Sequence, residues 1–133
     1  MTIHCVEPKG AQTVAMSPRF LLPALALLTL AVFWRVVTFG FIDADDLLYV
    51  TGNTRVQAGL SWNNLVWAFE TTSIGNYHPI TWLSLMLDRE VWNDWAGGYH
   101  ATNLALHTLN VLLLFVALRQ LTGEVCKSGF VAA

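Results

Sequence analysis

Three carboxylates fall within four residues of the stretch FIDADDLLYV, residues 41–50: Asp43, Asp45 and Asp46, with Tyr49 three positions on. They follow directly on a long, almost unbroken hydrocarbon run. Acids in this setting admit three chemistries. They can be a solvated polar loop. They can hold a divalent cation, since alternating carboxylates offer hard oxygen ligands, although the full ligand series of a calcium loop is missing. Or one of them can act as a general base that takes a proton from an acceptor hydroxyl. Composition does not choose among the three. Position adds one fact: the cluster is tied to the end of an apolar segment, at the depth where a lipid-borne phosphate would sit.

A second set of polar groups lies in ATNLALHTLNVLLLFVALRQL and the residue before it. His100, Asn103, His107 and Asn110 fall at i, i+3, i+7 and i+10. On a helix turning about 100° per residue they occupy an arc of about 80°, one polar stripe on one face. Polar groups facing lipid are costly, so the stripe must face other protein or a cavity. It either bonds a neighbouring helix or lines a ligand site. A metal site on the two histidines would need further ligands and closer spacing. Cys5 and Cys126 form no CxxC pair and read as free thiols.

The elements that must position these residues follow from composition. Hydrophobic residues make up 55% of the 133 and charged residues 12%, about half the charged share of a soluble domain. A net charge of −2 gives no nucleic-acid surface. The bilayer is the solvent that fits. Two segments are long and apolar enough to span it, residues 20–40 and residues 99–121, a soluble core helix being the competing reading. Lys9 and Arg19 precede the first, and Arg119 and Lys127 follow the second. The segment between, residues 41–98, carries only Arg55 and Arg89 against seven acids. The positive-inside rule then places both termini in the cytoplasm and the connecting loop outside.

That loop reads as a built surface. It holds five of the six tryptophans, the residue that favours the water–lipid boundary. Ser61 can cap a short helix in which Trp62, Leu65, Val66 and Phe69 make an apolar face, with Asn63, Asn64 and Glu70 pointing elsewhere. Pro79 suits the first turn of a second helix, whose apolar part, residues 80–87, is too short to cross a membrane. TGN at 51–53 and GN at 75–76 mark turns.

Taken in order, FIDADDLLYV with the VQAGLSW that follows, NYHPITWLSLMLD, and GYHATNLALHTLNVLLLF resemble the start of a family of polytopic membrane proteins. These combine a GT-C type glycosyltransferase core with C-terminal tetratricopeptide repeats and are related to protein O-mannosyltransferases. The resemblance covers roughly residues 20–133. It implies an all-α integral membrane fold: two transmembrane helices joined by an external (periplasmic) loop with short interfacial helices, as the N-terminal fragment of a GT-C fold in the inner (plasma) membrane. It implies transfer of a sugar from a polyprenyl-phosphate donor to a protein hydroxyl acceptor. The family's acidic pair followed by an aromatic matches Asp45, Asp46 and Tyr49, with Asp45 as base, Asp46 in support, and a divalent cation in metal-dependent members. Asp43 lies outside the pair. The family's His-Pro near the donor matches His78 and Pro79, giving His78 either a phosphate contact or a helix-capping role. Asn103 and His107 join the expected substrate site. Residues 1–19 form the cytoplasmic tail and residues 122–133 a turn and the start of a cut-off third span, so the chain is expected to be inactive alone. The competing expectation is a non-catalytic two-span anchor or assembly module with solvated acids.

Overall fold

The computed structural model describes residues 18–133, and every element in it is helical. Lys9 and Cys5 lie outside the described residues. Helix α1 (Pro18–Phe33) runs on as a 3-10 turn, Trp34–Thr38. The tightening falls where β-branched Val36, Val37 and Thr38 crowd the helix backbone, and Thr38 Oγ1 donates to the Arg35 carbonyl at 2.8 Å. After a non-helical stretch come a π-turn (Leu47–Thr51), α2 (Thr54–Gln57), α3 (Trp62–Glu70), a short 3-10 turn (Ser73–Gly75) and α4 (Pro79–Trp92). Helix α5 (Ala96–Thr122) and the short α6 (Val125–Ala132) complete the chain.

Two of these are long and apolar enough to cross a membrane, Phe20–Thr38 and Ala96–Thr122. At about 1.5 Å per residue α5 reaches about 40 Å. Only 11% of the first apolar window and 22% of the second is buried inside the protein. A soluble core helix would be mostly buried, and these are not. Leu27, Val32, Leu109 and Leu113 all stand exposed. The first helix ends at Thr38 rather than Gly40, and the second begins at Ala96, three residues before the expected start.

The long helices meet at two places. At one end Leu25, Val111, Phe115 and Ala132 form a buried cluster that joins α1, α5 and α6. At the other the 3-10 turn lies across the first turn of α5, where Ala96, Gly97 and Gly98 are buried. Gly97 makes that approach possible: a Cβ there would lie 2.3 Å from the Val37 carbonyl oxygen.

The segment between the long helices has its own core. Val56, Ala68, Trp82 and Met86 are fully buried, one from α2, one from α3 and two from α4. Ser61 caps α3 as expected, its hydroxyl accepting the Asn64 amide at 3.2 Å, and Pro79 opens α4. The expected apolar face of α3 stands outward. Asn64 is buried, whereas Trp62 and Phe69 are exposed. The Asn64 side-chain amide donates to the carbonyls of Gly59 (2.7 Å) and Arg55 (3.1 Å), which the turn leaves in need of partners. So α3 packs inward through Asn64 and Ala68 and turns its apolar stripe outward.

Gly97→Val would force the 3-10 turn off α5. Its expected cost is about 1–3 kcal/mol, typical of overpacking a tight contact, read as a lowered thermal midpoint in detergent with helical content unchanged.

Candidate functional site

The acidic cluster sits beyond the 3-10 turn, and its members divide by role. Asp46 Oδ2 accepts the backbone N–H of Ile42 at 2.9 Å, so this carboxylate closes the turn on which it stands. Asp45, at the start of the helical turn beside it, is exposed and forms no hydrogen bond or ion pair with the described residues. Asp43 is exposed in the preceding turn. Asp45 has both carboxylate oxygens unengaged among the described residues, whereas Asp46 has one of its two held by the Ile42 amide.

The π-turn that follows carries Tyr49. Its wide ring closes through Gly52, whose amide bonds the Leu47 carbonyl at 2.8 Å. A Cβ at Gly52 would lie 2.6 Å from that same oxygen, so a larger residue would open the turn. Thus held, the Tyr49 ring stacks on Trp82 with centroids 5.2 Å apart and planes 18° from parallel. His78 lies against the same pair, 4.9 Å from Trp82 and 5.5 Å from Tyr49. Trp67 closes the group at 5.2 Å from Trp82. Tyr49 and His78, far apart in sequence, therefore form one aromatic wall.

His78 occupies the position before α4, yet its side chain makes no capping bond. Stacking takes the ring away from the helix amides. Its Nε2 and the Trp82 Nε1 are buried without a hydrogen-bond partner among the described residues. Leaving such atoms unpaired costs about 1–3 kcal/mol each. Asp45 is joined to this wall only through the backbone turn from Asp46 to Tyr49. Among the described residues no three His, Cys, Asp or Glu side chains gather into a metal-binding group.

The polar stripe of α5 splits. His100, Asn103 and His107 line an open cleft of about 340 Å³ together with Phe33, Val36 and Leu104. Phe33 meets His107 edge-on, with centroids 5.1 Å apart, and His100 Nε2 is buried without a partner. Asn110 stands exposed one turn beyond and does not line the cleft. The cleft lies between the first helix and α5, whereas the aromatic wall belongs to the core of the connecting segment.

Sequence reasoning missed Asp88 and Thr102. Asp88 is buried on α4 and accepts the Thr102 hydroxyl of α5 at 2.6 Å, while Trp92 Nε1 donates to the same hydroxyl at 3.1 Å. This chain docks α4, and with it His78 and Trp82, on α5. The spacing of Trp82 and Met86, four residues apart, signals a buried face of α4. Nothing local signals Asp88, because its partner comes from another helix.

Comparison with family models, with curated proteins and with solved structures finds no match to this chain.

Burial raises the Asp88 pKa above its ordinary value of 3.8, and the Thr102 hydrogen bond only partly offsets the rise. A raised carboxyl favours the folded state below the unfolded pKa and loses that contribution as pH climbs through the folded value. Asp88→Asn keeps an acceptor for Thr102 and removes the buried charge. The variant is expected to melt above the parent at pH 7, with the gap closing as pH falls toward 4; thermal unfolding in detergent at the two pH values measures it.

Proposed function

We propose that this chain spans a membrane with its two long helices, both termini in the cytoplasm, and forms the acid-bearing part of a glycosyltransferase. The enzyme takes a sugar from a polyprenyl-phosphate carrier and passes it to a hydroxyl of a protein acceptor. One observation carries the reading: an unengaged carboxylate, Asp45, sits in one turn with Tyr49, which is stacked in a wall holding two unpartnered buried donor or acceptor atoms. The resemblance of the three motifs to the GT-C type family gives that arrangement its chemistry.

In the transfer, Asp45 accepts the proton of the acceptor hydroxyl as its oxygen attacks the anomeric carbon. The new C–O bond forms as the bond from that carbon to the carrier phosphate breaks. The electron pair leaves with the polyprenyl phosphate, and the anomeric configuration inverts. Asp46 supports Asp45 by fixing the turn. Tyr49 and His78 provide a flat wall for the sugar, with His78 beside the donor phosphate. Asn103 and His107 line the cleft beside the spans, where the lipid end of the donor would run. The carrier's own tail holds its phosphate at the bilayer surface, which places the base at the end of a membrane span rather than within it. The exposed aliphatic faces of α1 and α5 support the membrane placement, because in water they would be a large unsatisfied apolar surface.

Asp45→Asn, introduced at the native locus, tests this. A general base is worth about 10²–10⁴ in rate, so transfer from tritiated polyprenyl-phosphate hexoses to membrane protein should fall by that factor. The amount of chain in the membrane fraction should not change. Full transfer by the variant would remove Asp45 from the mechanism.

A further inference from the structure

A second cleft opens on α3, apart from the cleft on α5. It measures about 380 Å³ and is lined by Arg55, Trp62, Asn63, Val66, Trp67 and Glu70. Four of these, Asn63, Val66, Trp67 and Glu70, recur at i, i+3, i+4 and i+7 and so share one face of α3. Arg55 is brought over that face from α2. Its guanidinium donates to Asn64 Oδ1 at 3.3 Å, and its Cζ stands 6.0 Å from the centre of the Trp67 ring. Asn64 is itself fixed by two backbone carbonyls, so the cation is held in place by a buried amide. No carboxylate pairs with it: the ion pairs among the described residues are Arg89 with Asp94 and Lys127 with Glu124. An arginine cannot shed its charge, and most of its five donors remain free here. Glu70, at the C-terminal end of the same face, likewise has no ion pair among the described residues.

From these observations we propose that the cleft binds the headgroup of a zwitterionic phospholipid carrying a primary ammonium, phosphoethanolamine in chemical class. The phosphodiester takes the Arg55 guanidinium, a charge-assisted contact suited to a planar fork of donors. The ammonium takes the Glu70 carboxylate and the face of an indole. Glu70 lies three residues beyond Trp67, about 4.5 Å along the helix axis, comparable to the reach of a phosphate and an ammonium joined by two carbons. The acyl chains leave over Trp62, Val66 and Phe69, which are exposed beside the cleft.

Charge complementarity selects this occupant over others. A polyprenyl phosphate, a monoester, would satisfy Arg55 and set its second charge against Glu70, and phosphatidylglycerol, whose headgroup is neutral beyond the phosphodiester, would leave Glu70 without a cation. A quaternary ammonium offers no N–H to the carboxylate. The site rests on the membrane placement proposed above and is independent of the transferase reading. Its role would be to seat α3, and with it Trp67 and the aromatic wall, at a fixed depth on the bilayer.

The test is native mass spectrometry of the full chain released from nanodiscs. These hold equal parts phosphatidylethanolamine, phosphatidylglycerol and phosphatidylcholine, with undecaprenyl phosphate added in a second series. Retention of phosphatidylethanolamine over the other lipids by fivefold or more is expected. Glu70→Gln, at an exposed position, should remove the preference over phosphatidylglycerol. Arg55→Gln should reduce retention of both lipids, and Arg55→Lys should recover part of it. Equal retention of all lipids, stronger retention of undecaprenyl phosphate, or a preference unmoved by Glu70→Gln would overturn the proposal. Absence of the chain from the membrane fraction of cells would overturn the placement itself and the site with it, whereas loss of the lipid preference alone leaves the transferase reading standing.

Discussion

The indole of Trp82 is the point on which the connecting segment depends. It is fully buried where α2, α3, the π-turn and α4 converge, and Tyr49, Trp67 and His78 all pack on it. Short helices of four and nine residues cannot hold themselves together in isolation, since helices below about 12–15 residues are marginal in water. A single large side chain with two faces gives each of them a common surface. The functional consequence is direct. The residue that builds the core is the one that sets the distance between Tyr49 and His78, so the candidate wall and the local fold rest on the same contact.

A second constraint ties that core to the long helices. Asp88 reaches from α4 to Thr102 on α5, and Trp92 bonds the same hydroxyl. The small residues Ala96, Gly97 and Gly98 let the 3-10 turn and Trp92 close on the start of α5. In the placement proposed here, these contacts lie at the bilayer surface, just where the acidic turn emerges from the first span. The acid at the end of one helix and the aromatic wall on the connecting segment are thus held by a common brace, and no single helix has to carry both.

The polar atoms left unpartnered show where that frame is unfinished. Among the described residues, His78 Nε2, Trp82 Nε1 and His100 Nε2 are each buried with no hydrogen-bond partner, although most buried polar groups in folded proteins are paired. Two of them lie in the aromatic wall and the third belongs to a residue lining the cleft on α5. The guanidinium of Arg55 stands in contrast at the surface, a fixed charge with no carboxylate paired to it among the described residues.

Much of the architecture was legible from residue order, because it depends on local rules. Apolar runs of spanning length, Ser61 as a cap, Pro79 at a first turn and the turn at Thr51–Asn53 each follow from backbone geometry and solvation that a short window contains. So does the shared face of His100, Asn103 and His107. Tertiary structure decided what those windows cannot hold. It spent Asp46 on the Ile42 amide and left Asp45 free. It turned Asn64 inward, because carbonyls at Arg55 and Gly59 needed a donor, and so sent the apolar stripe of α3 outward. It joined Tyr49 to His78 across Trp82, buried Asp88 against Thr102 and left Asn110 outside the cleft. Each of these depends on a partner from another element, and a hydrogen bond or a ring contact between distant residues leaves no periodic trace in the chain that makes it.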